Sequence, residues 1–343
     1  MKTARLSVVI LNWNGRKVME RFLPSVVKST VSPDVSLIVA DNGSTDDSVA
    51  WLRERFPEVE VMELGENYGF AEGYNRAIRK VESPYIVLLN SDVETPEGWW
   101  EPLLDFMESH PESGAVQPKV LAYRERGKFE HAGAAGGLLD RLGYPYARGR
   151  VLFYTEEDKG QYDSDMATEV AWASGACMMV RRRAYLEAGG LDSDFFAHME
   201  EIDLCWRMRL AGYRVYALTS SAVYHYGGAS LAYGNPRKTY LNFRNNLLML
   251  YKNLPDRRLR AVMAYRFLLD YIAAFQMLLS GRPADFRAVV KARSEYSHIK
   301  HEFDEKRRKN LEAATVADIA EQKPRSLLWQ YSVKQVRRFC DIK

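Results

Sequence analysis

Tyr85-Ile86-Val87-Leu88-Leu89-Asn90-Ser91-Asp92 decides how the rest of this chain is read. Five bulky apolar residues, bounded by Pro84 before and Pro96 after, read as a strand buried on both faces. The run stops abruptly at three small polar residues. Open α/β sheets bind ligands in the crevice outside the carboxyl ends of their strands, so Asp92 stands where a ligand is expected. A hard cation such as Mg²⁺ or Mn²⁺ takes one or two carboxylates and leaves its other positions to water and phosphate oxygens. Asp92 can supply that anchor, with Asn90 one strand period away. A strand ending in an ordinary turn is the alternative, since Asn, Ser and Asp favour turns.

Working outward, Leu6–Leu11 is a short apolar run halted by Asn12-Trp13-Asn14-Gly15 and followed by a helical pattern through Val18, Phe22 and Val26. Val35–Ala40 is a second run. It stops at Asp41, and a helix follows over about 47–56, with Ser44 or Thr45 as its cap. Residues 59–64 form a weaker third strand, after which Asn67-Tyr68-Gly69-Phe70-Ala71-Glu72-Gly73-Tyr74-Asn75 opens a helix ending near Lys80. Strands alternating with helices at this spacing imply right-handed βαβ units and a mainly parallel sheet, a doubly wound nucleotide-binding half. The loop from Asn12 to Gly15 is not the GxGxxG of dinucleotide sites. Asp41 can accept from a ribose hydroxyl or a pyrimidine N–H, or cap a turn. Gly69 and Gly73 would let backbone approach a sugar or diphosphate.

Bulk properties narrow the class. The 343 residues suffice for one large domain or two ordinary ones. Three scattered cysteines show neither paired nor metal-type spacing, so a reducing, cytoplasmic setting is expected. Residues 1–230 carry 25 Lys and Arg against 34 Asp and Glu, whereas residues 231–343 carry 23 against 11, an acidic body with a basic tail behind a net charge of only +3. Such a tail can serve nucleic acid or an anionic membrane. Lys306-Arg307-Arg308-Lys309 lacks the aromatic stacking that nucleic acid would want, and no nucleic-acid partner is expected.

Farther along, residues 114–165 read as a loop or hairpin excursion over the site. Ala171-Trp172-Ala173-Ser174-Gly175-Ala176 is a small-residue turn before an apolar strand, in which Trp172 is either core or a sugar platform. In Glu200-Glu201-Ile202-Asp203-Leu204-Cys205-Trp206-Arg207, the residues Ile202, Trp206 and Leu210 mark one face of a helix, and Asp203 can pair with Arg207. Acids in that first turn suit the helix dipole whether or not they do chemistry. Val223-Tyr224-His225-Tyr226 ends another apolar strand. Val262–Ser280 is an apolar stretch interrupted by Arg266, Asp270 and Gln276; Arg266 and Asp270 can pair on one face, and two mid-span charges disfavour a membrane crossing. An interfacial or interdomain helix, flanked by Arg257, Arg258, Arg260, Arg282 and Arg287, or a core helix of a helical subdomain or dimer interface, fits better.

The ordered set Val8–Gly15, Asp41–Asp46, Asn67–Asn75 and Leu88–Asp92 resembles the signatures of family 2 inverting glycosyltransferases of the GT-A fold, and the likeness runs over roughly residues 6–245. It implies a catalytic domain over 1–235, with a nucleotide-binding half to 113 and an acceptor half from 114, and a basic helical region over 236–343. It places Asn12, Asn14 and Asp41 on the base and ribose, and Asn67, Gly69, Gly73 and Asn75 near ribose and diphosphate. Asn90-Ser91-Asp92 becomes the metal motif. The family more often has aspartate at both ends of that triplet, so Asp92 carries the assignment, and His225 can complete the Mg²⁺ or Mn²⁺ site. Glu201 stands where the family's base is usually aspartate, with Glu200 as a supporting acid near the acceptor. The implied reaction moves a sugar from a nucleoside diphosphate to a hydroxyl of a glycan or lipid-linked glycan. Among members, bacterial rhamnosyltransferases that extend surface polysaccharides look most similar. The partners to expect are that donor and acceptor, a peripheral membrane contact through 257–287 on the inner face of the plasma membrane, and a homodimer. Two other readings remain at this point: a sugar-1-phosphate nucleotidylyltransferase, whose glycine-rich basic loop is missing after the first strand, and a non-catalytic sugar-nucleotide-binding protein.

Overall fold

A computed structural model describes residues 4–163, 167–227, 235–319, 322–323 and 326–342. The alternation expected at the start is present: β1 (Leu6–Asn12), α1 (Arg16–Thr30), β2 (Val35–Asp41), α2 (Ser48–Arg55), β3 (Glu60–Glu63), α3 (Gly69–Lys80) and β4 (Tyr85–Leu89). These four strands lie parallel in the order β3-β2-β1-β4. Every residue of β4 is buried, as an apolar run sandwiched between helical layers must be. Asn12 pairs opposite Asp41, and Ile10 opposite Leu89, so the polar ends of three strands reach one edge.

The short β5 (Val93–Glu94) and α4 (Glu101–Ser109) lead into β6 (Ser113–Ala122). This ten-residue strand lies in the middle of the main sheet, which corrects the expectation of a loop excursion from 114. The excursion itself is smaller. β7 (Gly137–Asp140), β8 (Pro145–Ala147), β9 (Arg150–Val151) and β10 (Tyr154–Thr155) build a separate small sheet. β11 (Thr168–Glu169) and β12 (Cys177–Arg181) return to the main sheet, where β12 runs antiparallel between β4 and β6. After α5 (Arg182–Glu187) and α6 (Glu200–Leu210), β13 (Arg214–His225) pairs parallel with β6. Since β12 is antiparallel to both its neighbours, β6 and β13 point the same way as β4, and their ends share its edge.

Apolar residues of α1 and α4 fill one side of the sheet, and those of α3, α6 and α7 (Pro236–Asn253) the other. Leu247, Leu248, Met249 and Leu250 of α7 are fully buried in the same cluster as Trp206 and Met178. That covering layer explains why α6, expected to show one apolar face, is buried nearly all round. α8 (Asp256–Leu279), α9 (Pro283–Ile299) and α10 (Asp304–Glu312) complete the helical region.

Candidate active site

Backbone pairing brings Asp92 to His225. β5 pairs antiparallel with the end of β13, Val93 opposite His225, and the Tyr226 N–H donates to the Asp92 carbonyl at 3.0 Å. The side chains consequently meet: His225 Nε2 lies 3.2 Å from Asp92 Oδ1, both buried. Cis ligands of an octahedral Mg²⁺ at about 2.0–2.1 Å are themselves about 2.9–3.0 Å apart, so this donor spacing fits such an ion with little movement. Among the described residues no three acidic, imidazole or thiol groups gather into a closed cage. An open pair is what a cation sharing its shell with water and diphosphate requires.

Behind His225 stands a residue that sequence reasoning missed. Glu130 is buried, and its Oε2 lies 3.1 Å from His225 Nδ1 and accepts the Ala132 N–H. It arrives because residues after β6 fold back, with the Glu130 N–H donating to the Val120 carbonyl. A carboxylate on the far nitrogen fixes which ring nitrogen faces a metal and raises its basicity. Burial alone lowers the imidazole, but hydrogen bonds to Asp92 and Glu130 outweigh it and push His225 up to about 10. No pattern in Lys128-Phe129-Glu130-His131 advertised this role.

Asn90 lies at the same edge, and its N–H donates to the Ala176 carbonyl at 3.0 Å. One residue earlier, a Cβ on Gly175 would sit 3.6 Å from Glu201 Cβ. Asn90 and Glu201 therefore flank the same Gly175-Ala176 turn. Trp172, on the near side of that turn, is core: its Nε1 donates to the Leu138 carbonyl.

Glu200 and Glu201 open α6, and one carboxylate oxygen of each, Oε2, is buried without a hydrogen-bond partner. Burial raises both acids, and the neighbouring Glu201 charge lifts Glu200 further, well above the usual carboxylate range. Asp203 is spent structurally. It pairs with Arg207 at 2.9 Å as expected, and also takes Lys252 and Asn253 of α7.

The nucleotide-side residues knit adjacent loops together. Asn12 Nδ2 donates to Asp41 Oδ1, while Asp41 Oδ2 accepts the Ser44 N–H. Asn14 Oδ1 accepts the Thr45 and Asp46 N–H groups. Asp47, not Ser44 or Thr45, occupies the α2 N-cap, because Ser44 Oγ instead accepts from Asn12 and Asn14. Asn67 Oδ1 accepts the N–H of Gly69, whose φ of +77° suits glycine. Gly73 faces Leu11 and Asn42, so its missing side chain lets α3 pack against β1. Asn75 is buried, with its amide committed to Leu191 and Tyr185 and reaching Glu72 of the same helix.

A family profile described as glycosyl transferase family 2 matches residues 7–188, more than half of the chain. The chain belongs to that family. A similar relative is an N-acetylglucosaminyl-diphospho-decaprenol L-rhamnosyltransferase of Mycobacterium tuberculosis, 29% identical over 239 residues and covering 64% of this chain and 76% of the relative. The rhamnosyltransferase WbbL of Escherichia coli is 25% identical over 46% of this chain and 61% of its own length. Among solved structures, S. aureus TarS 1–349 in complex with UDP-GlcNAc superposes with a TM-score of 0.55 at 16% identity, covering 90% and 89% of the two chains. GalNAc-T7 with UDP, GalNAc and Mn²⁺ gives 0.58 at 15% identity, covering 89% and 57%. These neighbours share the GT-A fold, which this family 2 glycosyltransferase adopts, and the nucleotidylyltransferase reading is not favoured.

Proposed function

We propose that this glycosyltransferase moves a hexose, with dTDP-rhamnose as the first donor to try, to a hydroxyl of a lipid-linked glycan in bacterial surface polysaccharide synthesis, with inversion and with a divalent metal. The observation that supports the reading is the strand edge at which Asp92 pairs with His225 and, two residues before Asp92, the Asn90 N–H bonds to the Gly175-Ala176 turn that backs Glu201. Glu201 takes the proton of the acceptor hydroxyl as that oxygen forms its bond to the anomeric carbon. The bond from that carbon to the diphosphate breaks on the opposite side, and the nucleoside diphosphate leaves with the electron pair. Asp92 and His225 would hold Mg²⁺ or Mn²⁺, which neutralises the charge growing on the departing diphosphate. Asp41 and the Asn12, Asn14 and Asn67 loops would seat the nucleoside.

Peripheral contact with the inner face of the plasma membrane belongs to the same reading. By length and composition α8 could cross a membrane, yet Arg266 and Asp270 face inward, paired with each other at 3.2 Å and buried. Its outward side carries the exposed Tyr265, Leu268, Ile272, Phe275 and Leu279, near exposed Arg257, Arg260 and Arg287, while Arg258 is drawn to Asp318. An apolar stripe with basic flanks suits an anionic surface. Vesicles of phosphatidylglycerol should sediment the protein and release Leu268→Glu; a concentration-dependent dimer and no vesicle binding would favour a subunit interface instead.

The central test supplies dTDP-rhamnose, UDP- and GDP-sugars with Mn²⁺ and a short-chain N-acetylglucosaminyl-diphospho-polyprenol. Product with anomeric configuration opposite to the donor's is expected. Retained configuration, or no product from any donor, would overturn the proposal.

A further inference from the structure

Seven non-glycine residues among those described have positive φ, and three of them fall together: Phe196 at 64°, His198 at 70° and Met199 at 74°. Left-handed backbone costs an ordinary side chain energy and persists only where surrounding contacts over-determine it. Here the turn runs straight into Glu200 and Glu201, with Met199 as the N-cap residue of α6. At its other end the partly exposed Phe196 ring lies 3.3 Å from where a Gly69 side chain would begin, against the start of α3. One strained turn thus links the nucleotide-side loop to the candidate base.

Its carbonyls converge on a single side chain. Asn245 of α7, fully buried, shares the two N–H groups of its Nδ2 among the carbonyls of Phe195 at 2.9 Å, Ala197 at 2.9 Å and His198 at 2.8 Å. Arg244 Nε donates to Asn245 Oδ1 at 2.9 Å, which settles the orientation of the amide, and Arg244 Nη2 adds a bond to the Asp194 carbonyl at 3.0 Å. Arg244 is itself held by Glu295 at 3.1 Å. The next residue, Asn246, is also buried: it donates to the Gly143 carbonyl, accepts from Arg266 and reaches Met199 Sδ at 3.8 Å, so it touches the end of the same turn.

We infer that Asn245, braced by Arg244, is a positioning residue that holds the Phe196–Met199 turn and thereby aims Glu201 at the acceptor hydroxyl. The inference rests on the reading of Glu201 as base. Asn245 touches neither donor nor acceptor in this scheme; it acts through the turn. A carboxamide is the side chain suited to the place, since a carboxylate would repel three carbonyl oxygens and an alkyl group would take away the side-chain donor to the Ala197 and His198 carbonyls, while the Phe195 carbonyl also accepts from the Ala197 N–H and Arg244.

The experiment compares Asn245→Ala, Arg244→Gln and, as a buried control on the other side of the sheet, Thr30→Val, which removes the partner of Trp99 Nε1. The readouts are dTDP-rhamnose transfer, thermal protection by dTDP-rhamnose, and the titration of Glu201 followed by carboxyl NMR. Asn245→Ala should lose about 100-fold in kcat, within the general-base range, with donor protection unchanged and the Glu201 titration displaced. Arg244→Gln should show the same displacement with about a tenfold loss, and it supplies the answer should Asn245→Ala not fold. Thr30→Val should lose stability, since Trp99 Nε1 is left unpaired, while its kcat and Glu201 titration stay as in the parent. An undisturbed Glu201 titration in both Asn245→Ala and Arg244→Gln, or an equal loss of kcat in Thr30→Val, would overturn the inference. Full activity in Glu201→Gln would instead overturn the base assignment.

Discussion

Glu201→Gln is the substitution that probes the chemistry most directly, because it should move activity and stability in opposite directions. Gln keeps the length and shape of the side chain and removes only its ability to take a proton. General-base assistance is worth about 10²- to 10⁴-fold, or about 2.7–5.5 kcal/mol of barrier, so kcat should fall by that factor. Desolvation raises this carboxyl from its ordinary 4.5. A raised acid is protonated and idle at low pH and becomes a base as pH climbs through its folded value, so the parent should gain activity with pH above 4.5. The Gln variant should lack that limb. The same raised value means that ionisation opposes folding: the cost begins near the unfolded value and grows as pH rises toward the folded one. At neutral pH the variant should therefore unfold at a higher temperature than the parent. Glu201→Asp, one methylene shorter, should keep the pH limb while losing part of the rate. Transfer rates with saturating donor across pH, alongside thermal unfolding in the same buffers, measure both effects. A variant that retains a tenth or more of the parent rate, or whose residual rate still rises along the parent's limb, refutes the assignment of Glu201 as base.

Asp92→Asn preserves the 3.2 Å spacing to His225 but removes the charge, and should weaken Mn²⁺ at least about 100-fold, read from the free-Mn²⁺ EPR signal; unchanged binding would place the metal elsewhere. In the parent the same titration should tighten about tenfold per pH unit between about pH 7 and 9, since coordination needs a neutral imidazole and His225 is pushed up to about 10. Lys252→Met should cost about 1.5–3 kcal/mol, about 2–4 °C in Tm for a chain of this length, by taking from the buried Asp192 and Asp203 carboxylates one cationic partner each and leaving them Lys306 and Arg207. Burial alone would raise Asp192, but Lys252 and Lys306 hold it below its ordinary 3.8, so the stability it lends is present above that value and lost as pH falls. The Tm gap between parent and variant should consequently narrow below about pH 4, and a gap independent of pH would dismiss the charge network as its cause.

What the sequence makes legible here is whatever depends on neighbours along the chain. The runs at Leu6, Val35 and Tyr85 are apolar but for Ser7 and Ser36, as parallel strands under two helical layers require, and their polar ends mark the edge where a ligand is expected. β6 does not read this way. It holds Gly114, Gln117, Pro118 and Lys119 in ten residues, a composition suited to a loop, and each exception is resolved by a distant partner. Gln117 accepts the Ser174 N–H, Lys119 is paired at 2.8 Å with both Asp158 and Asp163, and Pro118 stands where the register with β13 shifts between Leu218 and Ala222. A proline inside a sheet is tolerated at such an irregularity, where a ladder hydrogen bond is already missing. Glu130 and Asn245 escape notice for the same reason. A glutamate before a histidine and an asparagine in a basic helix have many harmless uses, and only the fold-back after β6 and the packing of α7 against the Phe196 turn give them their partners. Asp92 and Glu201 stand out in the sequence as candidates because a carboxylate at a strand end or a helix start is where a ligand or a base is expected. The groups proposed to aim them are polar residues whose reason for being buried lies on another segment, and their partners become visible only where those segments touch.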